Sequence, residues 1–263
     1  MNQLKIGYDL NKTYFKYNIL PNKVPTIFIH GVGLDNSMWF PQKKYFKNQS
    51  ILFYDILNHG KSAKGYKKLN FNLFVNQLLD LIDNLNFKKV NLVGFSIGSL
   101  IAKFFTQYHF KKVNKLVLIG SVYNRSKDQI VMVKNRYQDA LNNKEGITVE
   151  TIKRWFNKDF LEKNKDINDF FYTLLERKKN KDFLPAYKLF SECDNYKINF
   201  KNFKMPCLIM TGENEIGSTP KMSDELSNEI SNSLLKIIKK AKHGVTVEKA
   251  EEVNLLLSKF LFN

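Results

Sequence analysis

The fold of this chain is decided by the stretch Val90-Asn91-Leu92-Val93-Gly94-Phe95-Ser96-Ile97-Gly98-Ser99-Leu100. Its first half is an apolar run that reads as a strand, and from Leu100 to Tyr108 the apolar residues recur at helical spacing. Between the two stands a Gly-x-Ser-x-Gly pattern centred on Ser96. At so tight a strand-to-helix turn the serine adopts strained backbone angles, and side chains in place of Gly94 and Gly98 would collide. The strain exposes the serine hydroxyl and sets it beside the first turn of a helix, whose N–H groups favour developing negative charge. Ser96 is therefore the candidate nucleophile.

Outward from this turn, strands and helices alternate. The residues predict a pair of opening strands over 4–8 and 14–19, parted by a polar turn at Leu10-Asn11-Lys12. Short apolar strands follow over 26–29, ending at His30-Gly31, and over 51–54. Phe74, Leu78, Leu81, Ile82 and Leu85 mark a helix. After the 100–108 helix comes a strand over 116–119, closed by Gly120. Such alternation predicts βαβ units and a mostly parallel sheet, eight strands in all, flanked by helices. From 123 to 202 only the helical pattern persists. Alternation resumes with strands over 207–210 and 234–238, a helix after Pro220 and a last helix over 250–261. The expected organisation is an α/β core of 1–122 and 203–263, with 123–202 inserted as a helical cap or lid.

Composition excludes several classes. With 43% hydrophobic and 14% aromatic residues in 263, the chain can build a sizeable core, which argues against global disorder. No apolar run approaches the roughly 18 residues that a membrane helix needs. Met1-Asn2-Gln3-Leu4-Lys5 carries no apolar signal region, so a cytoplasmic location is expected. Two cysteines and four histidines offer no zinc spacing, and Cys193 and Cys207 are expected reduced and buried. The formal charge of +17 comes from 38 lysines against 4 arginines, in a chain with 30 asparagines. The lysines are spread along the chain rather than gathered in a basic segment. They read as solvated surface charge, and no nucleic-acid or membrane partner is expected. Against that background Arg125, Arg136, Arg154 and Arg177 stand out as positions where a planar, bidentate donor matters.

A serine needs a base to take its proton, and histidine is the natural one. His243, in the loop Lys242-His243-Gly244 between the last strand and the last helix, is the best placed. His109 ends a helix beside lysines and reads as a surface residue. His59 sits in a loop and reads as a packing or hydrogen-bonding group. A base needs a carboxylate to orient it. The loop after the 207–210 strand offers Glu215 and Glu213, with Glu215 preferred and Glu213 left as the alternative. An oxyanion hole needs two donors. The N–H of Ile97, directly after the nucleophile, is one, and the N–H of Val32 in His30-Gly31-Val32-Gly33 is the other.

Taken together, five segments resemble the α/β-hydrolase superfamily, in its serine-nucleophile branch. They are His30-Gly31-Val32-Gly33 with Trp39, 55–62 with its Asn58-His59-Gly60, 94–98, 212–220, and His243 with Val247-Glu248-Lys249-Ala250. The resemblance implies the α/β-hydrolase fold and a triad in the order Ser96, Glu215, His243. The cap and the Gly217-Ser218-Thr219-Pro220 ending look most like 3-oxoadipate enol-lactonase-like hydrolases, which implies lactones or esters of small carboxylate-bearing substrates. Two positions depart from the family pattern. Glu215 stands where Asp is usual, and Asn58 stands where Gly is usual, which calls for a left-handed backbone that Asn tolerates. A serine nucleophile argues against the dehalogenase and epoxide-hydrolase branches.

The expected activity is hydrolysis of a small-molecule ester or lactone through an acyl-enzyme, with no metal and no cofactor called for. Trp39, Tyr123 and Trp155 are candidate walls of the substrate pocket, core packing being the alternative for each. Arg125 is the candidate partner of a substrate carboxylate. Competing readings are a C–C hydrolase on the same triad and a non-catalytic ligand-binding protein of the same fold.

Overall fold

The computed structural model describes residues 4–176 and 181–262. Eight strands form one sheet: β1 (Lys5–Tyr8), β2 (Tyr14–Asn18), β3 (Thr26–Ile29), β4 (Ile51–Tyr54), β5 (Val90–Phe95), β6 (Val113–Ile119), β7 (Cys207–Gly212) and β8 (Ser233–Ile238). Their order across the sheet is β1-β2-β4-β3-β5-β6-β7-β8. β2 runs antiparallel to both β1 and β4, and every pairing from β4 to β8 is parallel. The mostly parallel eight-stranded α/β sheet expected from the sequence is thus the fold observed.

Eleven helices are described. α1 (Phe40–Tyr45), α2 (Phe71–Asn84), α3 (Ile97–His109), α9 (Pro220–Glu229), α10 (Val245–Glu248) and α11 (Ala250–Leu261) accompany the sheet, and α4 (Lys127–Leu141), α5 (Ile147–Trp155), α6 (Lys158–Lys163), α7 (Lys165–Glu176) and α8 (Leu184–Ser191) intervene between β6 and β7.

Side chains alternate across each strand, so every central strand feeds two cores. Ile27, Ile29, Leu92, Leu116, Leu118 and Ile209 meet α2, α3 and α9 through Phe74, Leu78, Ile101, Phe105, Met222 and Leu226. On the other face Phe28, Val93, Val117, Leu208 and Met210 meet Met38, Trp39 and the α11 residues Val253, Leu257 and Leu261. Asn70 caps α2 by accepting the Leu73 N–H at 3.0 Å, and the apolar spacing of Phe71, Phe74, Leu78, Leu81 and Ile82 carries the helix onward. α3 begins at Ile97 rather than Leu100, because the residues after Ser96 turn at once into the helix.

The five intervening helices fold onto one another and onto the sheet's carboxyl end. α4 lies on α8 through Tyr137 and Tyr187, with ring centres 5.9 Å apart. α5 lies on α7 through Trp155 and Phe171 at 6.1 Å. The end of α5 is fastened to the loop after β8: the Gly244 N–H donates to the Trp155 carbonyl at 2.8 Å, and the Asn157 N–H and Nδ2 both donate to Glu248 Oε1. No helix among the described residues is long and apolar enough to cross a membrane.

Candidate active site

The turn after β5 is as tight as its glycines require. Ser96 has φ 56° and ψ −119°, a region sparsely populated by side-chain-bearing residues that costs about 1–3 kcal/mol. A Cβ on Gly94 would lie 2.3 Å from the Gly98 carbonyl oxygen, and a Cβ on Gly98 would lie 2.3 Å from that of Ile29. Backbone packs against backbone at both positions, so only glycine fits. The turn is held by the Ser96 N–H donating to Ile119 at 2.9 Å and by the Ser96 carbonyl accepting from the Ser99 N–H at 2.9 Å. Ile97 is the first residue of α3, so its N–H is among the four that a helix leaves without an internal partner.

The loops at the carboxyl ends of β3, β5, β7 and β8 converge here, where open α/β sheets bind ligands. His243 Nδ1 lies 2.7 Å from Glu215 Oε2. The other carboxylate oxygen, Oε1, accepts the N–H groups of Gly217 and, at 3.0 Å, Ser218. Burial works to raise the Glu215 carboxyl, but His243 and the two N–H groups outweigh it and hold it at about 2. The carboxylate is therefore ionised at neutral pH and fixes Nδ1 as the protonated ring nitrogen, leaving Nε2 free to act as a base. Glu213 is exposed and accepts the Lys240 N–H at 2.9 Å.

The 31–34 loop lies directly against Ser96, since a Cβ on Gly31 would stand 3.3 Å from the Ser96 Cβ. Two buried histidines shape this loop. His59 Nε2 accepts the Gly33 N–H at 3.0 Å, and its Nδ1 donates to the Leu57 carbonyl at 2.9 Å. His30 Nε2 accepts the Ile56 N–H at 3.1 Å, and its Nδ1 donates to the Gly31 carbonyl at 2.8 Å. Each ring accepts at Nε2, so each is neutral with its proton on Nδ1. Asn58 has φ 63°, the left-handed backbone its place in the sequence requires.

Ser96, Val32, Glu215 and His243 open on one cavity of about 720 Å³. Its far walls come from α4, α5 and α7, and Trp155 is among them, its ring 6.0 Å from that of His243. Two expected pocket walls lie elsewhere. Trp39 is fully buried in the core, edge-on to Phe28 at 5.2 Å, because the turn before α1 faces the sheet and not the cavity. Tyr123 turns away, its hydroxyl donating to Glu229 Oε1 at 3.0 Å. Arg125 reaches the cavity lining, but its guanidinium is already committed. It forms a two-point ion pair with Asp194, at 2.6 and 3.2 Å, and donates to the Phe190 carbonyl at 3.0 Å and to the Cys193 sulfur at 2.9 Å. It ties the start of the intervening helices to their end. Arg136 and Arg154, which the sequence marked only by residue type, line the cavity. Arg177 lies outside the described residues. Cys193 and Cys207 are buried free thiols, and no cluster of His, Cys, Asp and Glu among the described residues is placed to hold a metal ion.

Known proteins share this architecture. A family model for the alpha/beta hydrolase fold matches residues 24–250. The chain is similar to the (E)-2-((N-methylformamido)methylene)succinate hydrolase of Acinetobacter baylyi, 28% identical over 241 residues that span 90% of each chain. It is also similar to 3-oxoadipate enol-lactonase 1 of that organism, 24% identical over 243 residues, 92% of this chain and 90% of the relative. Among solved structures, the enol-lactonase from Burkholderia xenovorans LB400 matches with a TM-score of 0.83 at 21% identity, covering 98% of this chain and all of the other. With the match running from the residues just before β3 into the first turn of α11, this chain belongs to the alpha/beta hydrolase fold family.

Proposed function

We propose that the protein is a serine hydrolase that cleaves an ester or lactone bond of a small molecule through an acyl-enzyme. The observation that carries this reading is the His243–Glu215 contact of 2.7 Å on the cavity that the strained Ser96 also lines. Ser96 Oγ attacks the substrate carbonyl while His243 Nε2 takes its proton. The N–H groups of Val32 and Ile97 bind the oxyanion, and His59 holds the Val32 loop through Gly33. His243 then gives the proton to the leaving alcohol oxygen, or to the ring oxygen of a lactone, as the carbonyl re-forms. Water attacks the acyl-enzyme with His243 again as base, which frees the acid and returns the proton to Ser96. Glu215 keeps His243 in the productive tautomer throughout.

The segment 123–202 acts as a lid over the core of 1–122 and 203–263, which fits the attachment of α5 to the His243 loop. A cytoplasmic location agrees with two buried cysteines that stay as thiols. The test is hydrolysis of a p-nitrophenyl ester series and several lactones by the wild type and Ser96→Ala. Turnover that the variant loses supports the reading, and turnover that the variant retains refutes it. Activity confined to β-diketones would move the assignment to C–C hydrolysis.

A further inference from the structure

His243 stands in a stretch with no strand or helix of its own. Residues 239–244 join β8 to the short α10. Their conformation is set by what their backbone groups bond to outside the stretch. Both N–H groups that flank His243 are taken. The Gly244 N–H donates to the Trp155 carbonyl at 2.8 Å. The Lys242 N–H donates to Glu248 Oε2 at 2.8 Å. Each acceptor leads into the inserted helices. Trp155 ends α5, and the second oxygen of Glu248, Oε1, accepts the Asn157 N–H at 2.8 Å and Asn157 Nδ2 at 2.7 Å.

Glu248 is buried, and all three of its partners are N–H donors. Its carboxylate therefore works as a charged acceptor that joins two segments, and such bonds are stronger than those between neutral groups. Neighbouring contacts reinforce the joint. Asn157 Nδ2 also donates to the Lys240 carbonyl at 3.0 Å, and Lys242 Nζ donates to the Lys153 carbonyl at 2.9 Å. Phe156 packs so closely on Gly244 that a Cβ there would lie 2.2 Å from its ring. From the Glu215 loop, the Asn214 N–H donates to the Ala241 carbonyl at 2.8 Å. The His243 loop is thus held between the loop after β7 and residues 153–157.

We infer that Glu248 is a positioning residue for His243. By fusing the end of α5 to the 240–244 loop, it keeps the imidazole aligned on Glu215, which makes residues 153–157 a fixed part of the catalytic frame. The inference rests on the hydrolase reading for the role of His243 as base, but the hold on the ring does not. A glutamine cannot replace this carboxylate. It has one oxygen, so its NH2 must face either the Lys242 N–H or the two Asn157 donors, and the joint opens on that side.

The test compares Glu248→Gln and Asn157→Ala, the milder change because it keeps the Asn157 backbone bond, with Asp194→Asn as control. Asp194→Asn loosens the inserted helices at Arg125, away from the His243 loop. Thermal melts show which variants are folded. The readout that needs no substrate is the 15N spectrum of histidine-labelled protein at alkaline pH, with the His243 signals assigned by their loss in His243→Ala. Wild type should hold the ring proton on Nδ1, and Glu248→Gln should populate both tautomers. In kinetics, kcat for the best p-nitrophenyl ester should fall by about 10- to 100-fold in Glu248→Gln, with KM within about threefold. Asn157→Ala should shift both readouts in the same direction by less. Asp194→Asn should melt lower than wild type yet keep the wild-type tautomer and a kcat within about threefold. A folded Glu248→Gln with the wild-type His243 spectrum, a loss confined to KM, or an equal disturbance of His243 in Asp194→Asn would overturn the inference. If Glu248→Gln does not fold, Asn157→Ala decides by the same criteria. A ring that responds to Glu248 in a protein without Ser96-dependent turnover would leave the positioning role standing and refute the hydrolase reading instead.

Discussion

Replacing Glu215 by Gln changes one atom and should nearly abolish turnover. Glu215 Oε1 accepts two backbone N–H groups, from Gly217 and Ser218, while Oε2 faces His243 Nδ1. A glutamine can satisfy both N–H donors only by placing its carbonyl oxygen at Oε1. Its NH2 group must then sit at the Oε2 position and donate to Nδ1. The imidazole is forced to carry its proton on Nε2, the nitrogen that should accept the proton of Ser96. An equivalent tautomer inversion in a serine-protease triad costs about 10⁴ in kcat, and the same factor, about 5.5 kcal/mol of transition-state stabilisation, is expected here. KM should move by no more than about threefold, since Glu215 binds no substrate. The assay is steady-state hydrolysis of the best p-nitrophenyl ester, beside Glu213→Gln, which should stay within about twofold of wild type because Glu213 meets only the exposed Lys240 N–H. A Glu215→Gln enzyme within tenfold of wild type, or a larger loss in Glu213→Gln, would refute the tautomer argument.

Three further outcomes follow from the same contacts. Gly98→Ala puts a Cβ against the Ile29 carbonyl oxygen, so its Tm should fall by roughly 10 °C, about 3–5 kcal/mol, and an unchanged melt would mean that the turn relaxes freely. Trp39→Ala should cost about 3–5 kcal/mol in urea unfolding, whereas Trp39→Phe should cost less because it keeps a ring against Phe28 and Phe95 and loses only an indole N–H without a partner among the described residues; equal losses would contradict this. The Glu215 carboxyl is held down, so its contribution to stability is fully present above its unfolded value of about 4.5 and is lost as pH falls toward about 2. Urea midpoints should therefore drop more steeply between pH 5 and 3 for wild type than for Glu215→Gln, and parallel slopes would show that the pair adds nothing.

The fold was legible because its signals are local. Strand β5, the glycines at 94 and 98 and the helix after them occupy consecutive residues, and the period-two and helical patterns around them need no tertiary information. His243 and Glu215 could be nominated from their loops, since the sheet order brings the carboxyl ends of β7 and β8 together. What escaped depends on contacts distant in sequence. The pairing of Arg125 with Asp194 spans 69 residues and exists only once α4 and α8 close the helical segment. Trp39 looks the same in sequence whether its turn faces the cavity or the sheet, and only the packing of Phe28 and Phe95 decides it. The roles of His30 and His59 each rest on bonds across 26 residues that join two loops. The unusual scarcity of arginine was the one sequence signal that pointed toward Arg136 and Arg154, and it identified the residue type without its direction.

Covalent labelling tests the central claim most directly. Wild-type protein treated with a fluorophosphonate and read by intact mass should gain one adduct, mapped to the peptide carrying Ser96. Ser96→Ala should gain none, and His243→Ala should react about 10³-fold more slowly for want of its base. No adduct on the wild type, an adduct on another residue, or a His243→Ala rate equal to wild type would contradict the assignment of Ser96 as a nucleophile activated by His243.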